Sequence, residues 1–135
     1  MVLLLLFLAA GNSRGTADIQ KVLHAQVNAW NRGDLEGYMA GYWHSPELEF
    51  YSGSTITRGW QETLDRYRKR YQSDGREMGT LSFNDVHIEP IDAKTAFVTG
   101  RWQLEMKNGE SPKGLFTLLF RKFDDGWKIV HDHSS

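Results

Sequence analysis

Two histidines two residues apart near the end of the chain, His131 and His133, are the side chains best typed and spaced for chemistry. On a β-strand they leave from the same face, roughly 6.6–7 Å apart at the backbone. Such a pair can shuttle a proton or hold a metal. Tyr67 joins them as a catalytic candidate, and His131 with Tyr51 or Tyr67 makes a conceivable acid–base pair. A metal needs more ligands, and only His87 with Asp85 or Glu89 on a neighbouring strand offers them. No metal site and no cofactor are expected. Trp43, Tyr51, Trp60, Tyr67 and Trp102 supply aromatic lining for a small organic ligand.

The elements that must position these residues follow from period and punctuation. Ile19, Val22, Leu23, Val27 and Trp30 form one helical stripe. Gly33 and Asp34 then end that helix and cap a second, short one through Leu35, Tyr38, Met39 and Tyr42. A strand at 47–52 and a turn at Gly53-Ser54 precede a third helix over 60–71, whose basic cluster Arg66, Arg68, Lys69 and Arg70 reads as its solvated side.

After residue 80 the period becomes two. Segments 81–91, 95–106, 115–123 and 127–133 are separated by turns at Asp92-Ala93, Asn108-Gly109 and Asp124-Asp125-Gly126, which predicts a four-stranded antiparallel meander. Helices first and strands after give the α+β class: a curled sheet with the N-terminal helices on one face. Alternation puts Ala96, Val98, Gly100, Trp102, Leu104 and Met106 on one side of the second of these strands. Phe116, Leu118 and Phe120 face one way in the next, yet Leu115, Leu119 and Phe123 are apolar on the other. One face should therefore meet helices and the other a second subunit.

Composition bounds the rest. The 135 residues, 40% hydrophobic, suit one domain, and a net charge of −1 offers no footprint for nucleic acid or an anionic membrane. There is no cysteine, which removes disulfides, thiolate metal sites and a cysteine nucleophile. Val2 to Ala10 is an apolar run too short to span a bilayer stably, and with Ala9-Ala10-Gly11 it resembles a signal-peptide core, although no basic residue precedes it. Residues 1–15 thus read as leader and linker, 16–135 as the domain, and the location as secreted or periplasmic, with cytoplasmic as the alternative.

Three stretches carry a family resemblance: Ala29-Trp30-Asn31-Arg32-Gly33-Asp34 with Tyr38; Thr57-Arg58-Gly59 before a helix; and the ending Gly126-Trp127-Lys128-Ile129-Val130-His131-Asp132-His133-Ser134-Ser135. Over about 16–135 the chain resembles the SnoaL-like branch of the nuclear transport factor 2-like superfamily, and is similar to the association domain of calcium/calmodulin-dependent protein kinase II. The resemblance implies a cone-shaped, cystatin-like α+β barrel, a pocket between curved sheet and helices, and a homodimer through the sheet. It also implies Arg101 as a pocket arginine, able to hold a carboxylate bidentately, while Leu118 stands where a further pocket arginine would be. The isomerase pattern of the superfamily would need a carboxylate at Phe50, and the neighbouring Glu49 should face the other way.

Three classes of function remain. The first is a homodimeric domain that binds a small organic ligand, an acid being one option, in its cone through Arg101, His131 and the aromatic residues. The second is an isomerase or lyase using histidine and tyrosine. The third is an oligomerisation module, and the sequence does not decide whether there is turnover.

Overall fold

The computed structural model describes the chain from Val2 to Ser135, with side chains from Arg14 onward. The element order is α1 (Val2–Asn31), α2 (Leu35–Met39), β1 (Glu49–Ser52), β2 (Thr55–Arg58), α3 (Trp60–Tyr71), β3 (Thr80–Asp92), β4 (Thr95–Glu105), β5 (Lys113–Phe123) and β6 (Gly126–Ser134). Six strands form one sheet in the order β2-β1-β6-β5-β4-β3. Three helices cover one of its faces, the α+β architecture expected.

Helix α1 has no break at 11–15, the segment read as a linker. The side chains of Val2 to Ala10, on which the leader reading rests, lie outside those described. Further along, Ile19, Leu23 and Trp30 are buried as the stripe predicted. Gln26 joins them at 2% exposure, its amide donating to the Tyr38 carbonyl at 3.3 Å. The α1–α2 corner forms as the sequence indicated: Gly33 takes φ +78°, and the Asp34 carboxylate accepts the Gly37 amide at 2.8 Å. That hydrogen bond, then the Arg32 guanidinium, holds the Asp34 carboxyl below its usual range.

The sheet exceeds the predicted meander at one edge. β1 and β2 form a hairpin, and β1 then pairs with β6 in parallel, matching Glu49 with His131, Phe50 with Asp132 and Tyr51 with His133. No local signal announces this pairing, because a parallel neighbour lies far away in sequence. β3, β4, β5 and β6 follow as the antiparallel meander.

The core lies between the helices and the covered sheet face. Ala96, Val98, Leu104, Phe116, Leu118, Phe120 and Ile129 are all at most 4% exposed. Gly100 makes room for the Phe116 ring, since a Cβ there would lie 2.4 Å from the ring's Cζ.

The outer face is different. Leu115 is 52% exposed and Phe97 37%, so apolar surface remains on the side away from the helices.

One irregularity in β6 governs the site. Leu119 pairs with His131 but Phe120 pairs with Ile129, so Val130 is an extra residue, a β-bulge. Without it, Trp127, Ile129, His131 and His133 would share a face. The bulge reverses the alternation after Ile129, sending Asp132 and Ser134 to the covered face and the histidines to the outer one.

Candidate functional site

A cavity of about 150 Å³ lies between α1, α3 and the covered face of the sheet. Its walls are mainly aromatic and aliphatic, from Trp30, Phe50, Phe83, Trp102, Phe116 and Leu118. Trp30 anchors the wall, with its ring edge-on to Tyr38, Tyr67 and Tyr71 at centroid distances of 5.2, 5.9 and 4.9 Å.

Asp132 supplies the cavity's carboxylate. It is 3% exposed, and the Tyr42 hydroxyl donates to its Oδ2 at 2.7 Å while the Ser134 hydroxyl donates to Oδ1 at 2.7 Å. Tyr42 in turn lies 3.2 Å from the Tyr38 hydroxyl, and Tyr38 lies 3.4 Å from that of Tyr67. A chain of three phenols thus ends on one carboxylate.

Burial pushes the Asp132 carboxyl up to about 6, because a charge in an apolar site loses its hydration. The two hydroxyl donors and the nearby histidines oppose that rise. Burial also pushes all three phenols well above their usual range, with the Asp132 charge adding to the effect. The phenols therefore stay protonated and serve as donors, while the carboxyl titrates near neutrality. A group that can accept a proton at pH 7 beside fixed hydroxyl donors is equipped for acid–base work.

Arg66 and Arg70 line the cavity from α3. Arg70 is exposed and Arg66 half-buried, which puts positive charge at the cavity mouth. Arg66 donates to the Thr57 hydroxyl at 3.2 Å and lies 5.9 Å from the Phe50 ring centroid. Among the described residues neither arginine pairs with a carboxylate, whereas Arg68 binds Glu36 at 2.7 Å. The basic cluster is thus divided between solvent and site.

The structure brings only part of the sequence-derived set together. Tyr67 and Trp102 line the cavity. Trp43 stacks on Phe123 at 5.7 Å, and Trp60 stacks on His44 at 4.1 Å while donating to the Met39 carbonyl, so neither is in the lining. Tyr51, His131 and His133 sit together on the outer face, the Tyr51 ring 4.8 Å from His131 and 5.8 Å from His133. His131 approaches Glu49 at 3.6 Å. The phenol and the imidazoles do meet, then, but outside the cone.

Arg101 also belongs to the outer face, where it pairs with Asp85 at 3.1 Å and is 62% exposed. Its register fixes this: Val98 and Leu104 point inward, and Arg101 has the opposite parity to both. His87 is in the same cross-strand row as His133, through Thr99 and Thr117. Three strand spacings of about 4.8 Å separate them, too far to share an ion.

Sequence reasoning passed over Asp132, Tyr38, Tyr42, Arg66 and Arg70. The available signal was Ile129-Val130, two adjacent apolar residues in a strand that otherwise alternates. Both are buried, at 1% and 8%, as a bulge requires.

Comparisons with known proteins agree with this architecture. A protein described as NTF-2 like and of unknown function, from Shewanella oneidensis, is 44% identical, over 89% of this chain and 98% of its own, with a TM-score of 0.82. A nuclear transport factor 2-like superfamily protein from Salmonella enterica shares the fold at 20% identity, over 92% of each chain, with a TM-score of 0.75. So does a structure from Thiobacillus denitrificans assigned as a calcium/calmodulin-dependent protein kinase type II association domain, at 20% identity, over 86% of this chain and 92% of its own, with a TM-score of 0.72. No curated protein matches the sequence. The SnoaL-like domain family matches residues 19–135, which include every cavity residue named above, and the chain belongs to that family.

Proposed function

We propose that this SnoaL-like domain binds a small organic acid in its cone, the apolar body between the aromatic walls and the carboxylate at Arg66 and Arg70. The observation that carries this reading is an apolar cavity whose mouth holds two guanidinium groups without carboxylate partners among the described residues. A guanidinium fork matches a carboxylate in geometry and charge, and the match strengthens as water is excluded. Asp132 disfavours a second negative charge at the cavity floor, which orients an acid with its carboxylate outward. Benzoate is a suitable probe, because a cavity of about 150 Å³ holds roughly one benzene ring. Calorimetry should register benzoate binding, and R66A/R70A should weaken it by about tenfold or more, the usual worth of a charged hydrogen bond. Equal affinity in the double variant would overturn the reading.

A second reading, an isomerase or lyase activity, is favoured by Asp132 and Tyr42. Asp132 would take a proton next to a carbonyl, the electron pair would move onto the carbonyl oxygen, and a phenol would donate to that oxyanion. The histidine pair is replaced in this role by the aspartate. Cyclohexanone in deuterated buffer gives the test, with α-hydrogen exchange followed by NMR. Exchange should exceed the buffer rate and be lost in Asp132→Asn; a buffer-level rate with the wild type would remove this reading.

The partner supported by the outer face is a second copy of the chain. Phe97, Leu115 and Leu119 give that face an apolar centre, the composition of a self-complementary patch. Sedimentation equilibrium should find a dimer that Leu115→Asp dissociates. Among the described residues no helix is long and apolar enough to cross a membrane. The apolar run Val2–Ala10 supports export of the 16–135 domain, and N-terminal sequencing of cell-purified protein tests it by finding or not finding a start near residue 11.

A further inference from the structure

A second concavity, of about 440 Å³, lies between α1 and the edge strand β3. Helix α1 stands between the two spaces: Gln26 and Trp30 face the cone cavity, while Leu23 and Val27 face the groove. Leu81 and Phe83 line both. Leu81 is buried, but Phe83 is only half-buried and leans on the Phe116 ring at a centroid distance of 5.2 Å. The groove is open because β3 bends just beyond Phe83. A register shift falls between Asn84 and His87, and Asp85 takes φ +52°, a conformation uncommon for a residue with a side chain.

Size gives these two spaces a joint meaning. A cavity of about 150 Å³ is well below the range of about 300–1,000 Å³ usual for ligand sites, whereas the cone and groove together fall within it. The groove has an apolar floor of Leu23, Val27 and Ile88, with Gln20, His24 and His87 beside it.

We propose that the groove is a second compartment of the cone's binding site, with Phe83 as the partition between them, so that the ligand is an elongated aliphatic carboxylic acid. This rests on the organic-acid reading given above. The carboxylate is held by Arg66 and Arg70 at one end, and the alkyl chain displaces the Phe83 ring and runs between α1 and β3. Rotation of a half-buried phenyl ring disturbs little of the core, whereas Leu81 stays fixed by burial. Phe83 thereby sets the chain length that the site accepts.

Calorimetry with butanoate, hexanoate, octanoate and decanoate, each below its micelle concentration, tests the proposal on the full chain. Affinity should rise by about fourfold per added methylene through decanoate, the gain for moving one CH₂ out of water. His24→Trp, a change at an exposed position on the groove, should weaken decanoate by at least tenfold and leave butanoate unchanged. Phe83→Ala should strengthen decanoate more than butanoate. If butanoate and benzoate bind but affinity stops rising once the cone is filled, and His24→Trp leaves decanoate unaffected, the second compartment is wrong and the organic-acid reading stands. Failure of every carboxylate to bind overturns both.

Discussion

The two faces of β5 and β6 come from the same two strands and behave as different materials. On the covered face Leu118, Phe120, Ile129 and Asp132 are enclosed, and the one carboxylate among them titrates near pH 6. On the outer face Leu115, His131 and His133 are partly or largely open, and His131 meets Glu49 across a strand pair in which both side chains are about a third exposed. Residue chemistry alone favours the histidines as the reactive groups. Environment separates the two, because the Asp132 carboxyl, deprived of water, is raised towards neutrality, whereas His131 and His133 are on the face that the helices do not cover.

Four tests can break the contrast, the first of them a pair of leucines, ordered by the largest effect each should show. Leu118→Ala removes a side chain that is 4% exposed from the cavity wall, and urea unfolding should show a loss of about 2–5 kcal/mol. Leu115→Ala, three residues away and 52% exposed, should cost less than about 1 kcal/mol in the monomer. Equal losses would mean that the outer face is as closed as the covered one.

Asp132→Asn tests the buried charge. The native carboxyl is raised from 3.8 to about 6, so the folded state binds the extra proton and stability falls as pH rises through that window. The variant has no charge to bury. It should therefore be more stable than wild type by about 3 kcal/mol above pH 7, an advantage that disappears below about pH 4. A constant difference at all pH values would contradict the assignment.

Tyr42→Phe removes the hydrogen bond at 2.7 Å that favours the ionised carboxylate. The Asp132 carboxyl should titrate higher still, and stability at pH 8 should fall by about 1.5–3 kcal/mol, read from unfolding curves against pH. His131→Gln, on the outer face, should change stability by less than about 1 kcal/mol, because a part-exposed pair with Glu49 is worth little. A larger effect would mean that this face is covered in solution.

Much of the fold was legible in the sequence for physical reasons. The stripe through Ile19, Leu23 and Trp30 and the Gly33-Asp34 corner are local signals: the corner is closed by Gly37 three residues on, and the stripe shows which helix face will be buried although its partners, such as Tyr67 and Tyr71 for Trp30, lie far along the chain. The inward set of β4, Ala96, Val98 and Leu104, follows from a period of two that no bulge interrupts there. The cavity was legible only in its wall: Tyr67 and Trp102 line it, while Trp43 and Trp60 found other partners in Phe123 and His44. An aromatic residue has many ways to be buried, and sequence does not choose among them.

By itself, then, the sequence determined the helices, the meander and an apolar face on each side of the sheet, since propensity and periodicity act over short range. The tertiary structure decided which groups meet in the cone. The parallel pairing of β1 with β6 sets Phe50 beside Asp132, and the extra residue Val130 turns Asp132 inward and His131 and His133 outward. A one-residue slip in a strand moves every following side chain to the opposite face, and such a slip is fixed by long-range pairing and burial, which the residues of β6 do not encode alone.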